Sequence, residues 1–212
     1  MEHENAGVEN IPNRAAWLAI AGAMVFVIIS ILLRFFRPEF SLLSDFESDY
    51  GNGEKGWLMG IAFLVRSALL ASATLALSLG VQRGKARAIG IFFIIFWTIG
   101  SSLLAIFPDD LRGEVVTFHG RAHNIIAAVS FLSSLCGTLA LTMAFRKVVT
   151  GHYTARALLL IWIVSFLGLV CMLIPSIRAG LIGLFERILI FGQLLWVVVS
   201  MAALIRMKKA TE

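Results

Sequence analysis

Six uninterrupted apolar blocks constrain this chain more than any other feature, because each is close to the ~20 residues a helix needs to cross a hydrocarbon core. The blocks run from Ala15 to Leu33, Trp57 to Val81, Ala88 to Phe107, Ala122 to Phe145, Ala157 to Ile177 and Ile188 to Ile205. Lipid offers no hydrogen-bond partner to a backbone, so each block must satisfy its own amides as a helix. The alternation of a barrel strand is missing. The expected fold class is therefore all-α, a polytopic membrane bundle of six transmembrane helices. Residues 1–14 form a cytoplasmic tail, 15–206 the transmembrane domain and 207–212 a second cytoplasmic tail. Composition agrees: 59% of residues are hydrophobic and 15% charged, against about 45–50% and about 25% for a soluble domain.

The first block is expected to be retained as a helix, since no convincing small-residue cleavage site follows it. Cys136 and Cys171 fall inside predicted spans and read as packed thiols. The net charge of +5 does not mark a nucleic-acid surface, because the basic residues are scattered among short loops. They act instead as topology signals. Arg14, Arg83, Lys85, Arg87, Arg146, Lys147, Arg156, Arg206, Lys208 and Lys209 put ten cations on one side. Arg34, Arg37, Lys55, Arg112 and Arg178 put five on the other. The positive-inside rule then places both termini in the cytoplasm of a cell-membrane protein.

The acids are more lopsided. Apart from Glu2, Glu4, Glu9 and Glu212 in the tails, every acid lies at the extracytoplasmic end. Acids contribute little to insertion, so a functional outer face is a better explanation. Counting 1.5 Å per residue from the cytoplasmic charges puts Asp109, His123 and Glu186 at one level, with Arg66 about a turn deeper. A charge at that depth costs about 2.5–3.5 kcal/mol on insertion scales and is expected to find a partner. Glu186, Asp109 and Asp110 are the candidates, and snorkelling to the interface is the alternative.

Pro108 in Phe107-Pro108-Asp109-Asp110 is expected to end the third span. His119 and His123 lie four apart at the start of the fourth, on one helical face. Two such imidazoles with Asp109, Asp110 or Glu186 could hold a zinc ion, although the Glu of the zincin motif is missing. Proton handling, ligand binding and plain structural hydrogen bonding are the other readings. Glu186, Gln193 and Ser200 form a polar stripe on the sixth span, either interhelical glue or a cavity wall. Asp45 and Asp49 lie in the first outer loop, where Leu42, Leu43 and Phe46 have amphipathic spacing. That loop is either a short helix over the bundle mouth or a solvated connection. Glu186 and Arg187 could equally be a plain interfacial ion pair.

From about Ala16 to Val199 the chain resembles the bacterial and archaeal membrane family called domain of unknown function 998. The resemblance is carried by Ser44-Asp45 through Asp49-Tyr50-Gly51, Gly56-Trp57-Leu58-Met59, Phe107-Pro108-Asp109-Asp110, His119 with His123, and Gly183-Leu184-Phe185-Glu186-Arg187 with Trp196. It implies six membrane helices and brings no activity. A looser likeness, in helix count and the stretch from His123 to Phe131, points to six-helix proteins of the Frag1 and damage-regulated autophagy modulator type. Some of these are connected with lipid-anchor remodelling, a fold-level analogy only.

Three functions follow as expectations. The first is lipid binding or remodelling, as a hydrolase or transferase if the chain is an enzyme, with His119, His123, Asp109 and Glu186 as catalytic candidates. Arg66, Asp110, Arg187, Asp45 and Asp49 would bind the ligand. The second is a structural or sensory subunit with other membrane partners. The third is a proton-coupled transporter, for which polar residues towards the cytoplasmic face are sparse.

Overall fold

The computed structural model describes residues 11–111, 113, 115–146 and 152–209. Arg112, Glu114, Lys147 and the ends of both tails therefore lie outside the described residues. Six long helices form: α1 (Ile11–Phe36), α2 (Trp57–Gly80), α3 (Lys85–Leu104), α4 (Phe118–Phe145), α5 (His152–Leu173) and α6 (Ile182–Lys209). All six are long and apolar enough to cross a membrane, and no strand occurs among the described residues. Sequential helices pack on one another and α1 meets α6, closing the ring. Of the sequential pairs, α4 and α5 touch least.

Lipid tails are as apolar as leucine, so close packing rather than water exclusion holds such helices together. Small residues supply it. Ala15, Ala16, Ala19 and Ala23 of α1 are buried with Leu69, Ala73 and Ala76 of α2. Gly90 and Gly137 bring α3 and α4 close enough that a Cβ at Gly90 would lie 2.5 Å from Leu141. Large side chains such as Trp17, Leu18, Phe92 and Leu160 face outward.

Two helix ends differ from expectation. Helix α3 stops at Leu104, four residues before Pro108, in a turn where the Ala105, Ile106 and Phe107 amides bond back to Ser102 and Leu103. Helix α5 stops at Leu173 rather than Ile177. Pro175 opens a separate helical turn, Pro175–Arg178, since proline cannot donate to the preceding turn. Helix α4 begins at Phe118 because the Thr117 hydroxyl accepts the Gly120 amide, an N-cap.

Of the stripe on α6, Gln193 is interhelical glue, while Glu186 turns to the α1–α2 loop. Gln193 meets Thr138 Oγ1 of α4 at 3.0 Å, and Trp196 Nε1 donates to Thr142 Oγ1 at 2.9 Å. Ser200 donates within its own helix, to Val197 O.

Candidate functional site

The polar residues gather where the α1–α2 loop meets the starts of α4 and α6. This loop is neither an amphipathic surface helix nor a solvated strand of chain. Ser48–Gly51 is a short 3-10 helix, and Glu47, Ser48, Asp49 and Tyr50 are all buried. The first turns of α6 hold it. Leu184 N donates to Leu43 O at 3.1 Å, supplying a partner to one of the amides a helix start leaves free. Arg187 Nη1 donates to Leu42 O at 2.9 Å and Asp45 O at 2.7 Å, while its Nε lies 3.0 Å from Glu47 Oε2. Glu47 N donates to Glu186 Oε2 at 2.6 Å. Gly183 permits the contact, since a Cβ there would lie 2.1 Å from Asp45 O.

Asp45 and Asp49 shape the loop from within. Asp45 Oδ2 accepts from Ser41 N at 2.6 Å, and Asp49 Oδ2 accepts from Phe46 N at 2.7 Å, local bonds that favour turns. Asp110 works in the same way on the next loop, accepting from Thr117 N and Oγ1. These three candidate ligand residues therefore have structural partners. Glu47 is held above the usual carboxylate range by burial, against the opposing pull of Arg187. Ser30 Oγ of α1 approaches the Glu47 carboxylate without closing a hydrogen bond.

A second group sits beside this clamp. Ser48 Oγ donates to Asp109 Oδ2 at 2.9 Å, and Asp109 Oδ1 accepts from Asp110 N at 2.9 Å. His123 Nδ1 lies 2.7 Å from Phe107 O. A carbonyl can only accept, so Nδ1 carries the proton and Nε2 faces Asp109 Oδ2, 3.7 Å away. Ser48, Asp109 and His123 form the wall between two cavities. One, about 210 Å³, runs towards Gly56, Met59 and Phe63. The other, about 310 Å³, has Ser48, Asp109, His123, Asn124 and Glu186 at its head and Ala127, Phe131, Leu169 and Met172 along its walls. It lies between α4, α5 and α6, and Asn124, Ala128, Leu132 and Leu173 on its rim are exposed.

The structure thus brings Asp109, His123 and Glu186 to one cleft, as the depth count expects. It does not bring His119, which is exposed and meets the Phe107 ring at a tilt and the Phe118 ring edge-on. The expected histidine pair is split. No group of three His, Cys, Asp or Glu side chains suited to a metal forms among the described residues, so these residues do not fit a zinc centre. Ser48 donates to a carboxylate rather than to a histidine, so Ser48 and His123 form no serine–histidine relay.

Arg66 is 3% exposed and finds a hydroxyl where a carboxylate was expected: its Nε donates to Ser101 Oγ of α3 at 3.0 Å. Its guanidinium lies 5.0 Å from the Phe63 ring centre and 5.6 Å from that of Phe26. Among the described residues no carboxylate comes within 4.0 Å of it, and Glu186 and Glu47 act on it across a longer distance. Sequence reasoning missed Glu47 and Ser48, both inside the quoted loop motif. It also missed Ser101, one small residue among many.

Six membrane-length helices and a buried polar end define a multi-pass membrane protein of the helical-bundle class. The chain belongs to the family described as a protein of unknown function, DUF998, whose model matches residues 20–203. No curated protein and no solved structure matches it, and the Frag1-type likeness gains no support.

Proposed function

We propose that the chain binds a membrane amphiphile in the cleft between α4, α5 and α6, with the polar head among Asp109, His123 and Glu186. The observation that carries this reading is one cavity with a polar head and apolar walls, whose rim residues are exposed at the loosest helix seam. A volume of about 310 Å³ is at the low end of the usual ligand range of about 300–1,000 Å³. It suits a head group and the start of one chain. The ten-to-five excess of cations at the other end supports a cell-membrane protein with this cleft on the extracytoplasmic side and both termini cytoplasmic.

Mass spectrometry of lipids retained by purified protein tests the cleft. Wild type should keep a stoichiometric amphiphile and Ala128→Phe, which narrows the rim, should lose it. Equal retention by both would remove the cleft from consideration. Reporters fused after residues 85, 150 and 212 should read cytoplasmic and those near 50, 112 and 179 extracytoplasmic. Reversal at two or more of these sites would overturn the orientation.

A further inference from the structure

The head of the cleft is short of hydrogen-bond donors. Glu186, 5% exposed, spends Oε2 on the Glu47 amide, and its Oε1 has no donor among the described residues. His123 uses its one certain proton on Phe107 O, and its Nε2 lies 3.7 Å from Asp109 Oδ2. Ser48 gives its proton to Asp109 and keeps only lone pairs. Asn124, at the exposed rim, spends one of its two amide N–H groups on Gly120 O. Among the described residues no Lys or Arg lines the cleft. Arg187 gives Nε to Glu47 and Nη1 to two loop carbonyls, its Nη2 is buried without a partner among the described residues, and neither it nor Arg66, which bonds to Ser101, is a lining residue of the cleft.

Resting on the cleft reading above, we infer that the amphiphile carries an ammonium group, which enters among Glu186, Asp109 and His123. An ammonium supplies three donors to a head that offers acceptors, and its charge faces two buried carboxylates of the lining, Glu186 and Asp109. Arg187 and Arg66 act on Glu186 only from beyond ion-pair distance among the described residues. Phe131 adds aromatic surface of the kind cations favour. A bare phosphate would bring only acceptors and negative charge to the same place. The ammonium could belong to a zwitterionic phospholipid or to a long-chain amine.

Purified, delipidated full chain would be titrated with dodecylamine, dodecanol and dodecyl phosphate, and separately with phosphatidylethanolamine and phosphatidylglycerol, and bound states counted by native mass spectrometry. Dodecylamine should bind about tenfold tighter than the alcohol or the phosphate, the scale on which complementary charge selects partners. Glu186→Gln, which keeps an oxygen for the Glu47 amide, should bring the amine-to-alcohol ratio close to one. Asn124→Lys, at an exposed position, should turn the preference towards the phosphate. Preference for phosphatidylethanolamine over phosphatidylglycerol assigns the ammonium to a phospholipid. Its absence, with dodecylamine still preferred, assigns it to a long-chain amine. Equal or tighter binding of dodecyl phosphate, or an amine preference that survives both substitutions, overturns the inference while leaving the cleft. Failure of every probe to bind overturns the cleft reading itself.

Discussion

Arg187 reaches Glu47 with its Nε, 3.0 Å from the carboxylate, and in the same pose holds the Leu42 and Asp45 carbonyls with Nη1. One guanidinium therefore fixes both the charge and the backbone of the α1–α2 loop. A planar fork can make these bonds together and a lysine ammonium cannot. Removing one partner of a buried pair costs about 3–5 kcal/mol, mostly by stranding the other. Arg187→Ala should lower the thermal midpoint in detergent and open the loop to protease. Arg187→Lys should recover little of either. A variant as stable and as protease-resistant as wild type would show that the loop is held elsewhere.

Gly183→Ala tests the same contact without touching a charge. The new Cβ would lie 2.1 Å from Asp45 O, and overpacking of this kind costs about 1–3 kcal/mol. Protease cleavage within residues 41–51 should speed up, while the circular dichroism of the helices stays constant. Unchanged cleavage would mean that the loop sits further from α6.

Burial holds Glu47 above the ordinary carboxylate value, so the fold favours its protonated form. The stability from such a group is fully present below its unfolded value and is lost as pH rises through the folded one. Glu47→Gln removes the titration. The thermal midpoint of wild type minus that of Glu47→Gln should therefore increase as pH falls from neutral through the carboxylate range. A difference that is flat, or that decreases on acidification, would mean that Arg187 outweighs burial.

Arg66 shares its neighbourhood with Glu186 and Glu47, yet bonds to Ser101. Ser101→Ala should destabilise the protein by about 1–3 kcal/mol, the cost of a buried donor left without its acceptor. Arg66→Met should reduce the yield of folded protein, and Glu186→Gln in the same chain should restore part of it. Wild-type stability in both Ser101→Ala and Arg66→Met would show that Arg66 does not rely on these partners.

The two histidines should separate cleanly. His119→Ala should leave lipid retention and stability near wild type, because the ring is exposed and, among the described residues, its ring contacts are with Phe107 and Phe118. His123→Ala should release the retained amphiphile. Mass spectrometry and thermal denaturation of both variants make the check, and loss of ligand on the His119 substitution alone would reverse the assignment.

The apolar blocks were legible because bilayer thickness fixes their length, and the level shared by Asp109, His123 and Glu186 followed from rise per residue. The split between His119 and His123 was not legible. Spacing of four gives a shared face, but only the position of the α3–α4 turn decides which ring is covered. Phe107 O sits over His123 and leaves His119 outside. Arg66 taught a related lesson: its depth predicted a partner, but Ser101 became that partner through helix packing, which no local pattern encodes. The loop was ambiguous because Leu42, Leu43 and Phe46 fit an amphipathic turn, whereas what buries it is the distant run from Gly183 to Arg187.

Glu47 and Glu186 are separated by 139 positions, so the ribosome makes the loop long before it makes the helix that covers it. Through the insertion of five spans, Glu47 lacks its Glu186 and Arg187 partners, and the head of the cleft lacks Glu186. Assembly at this end must therefore wait for the last span to enter the bilayer.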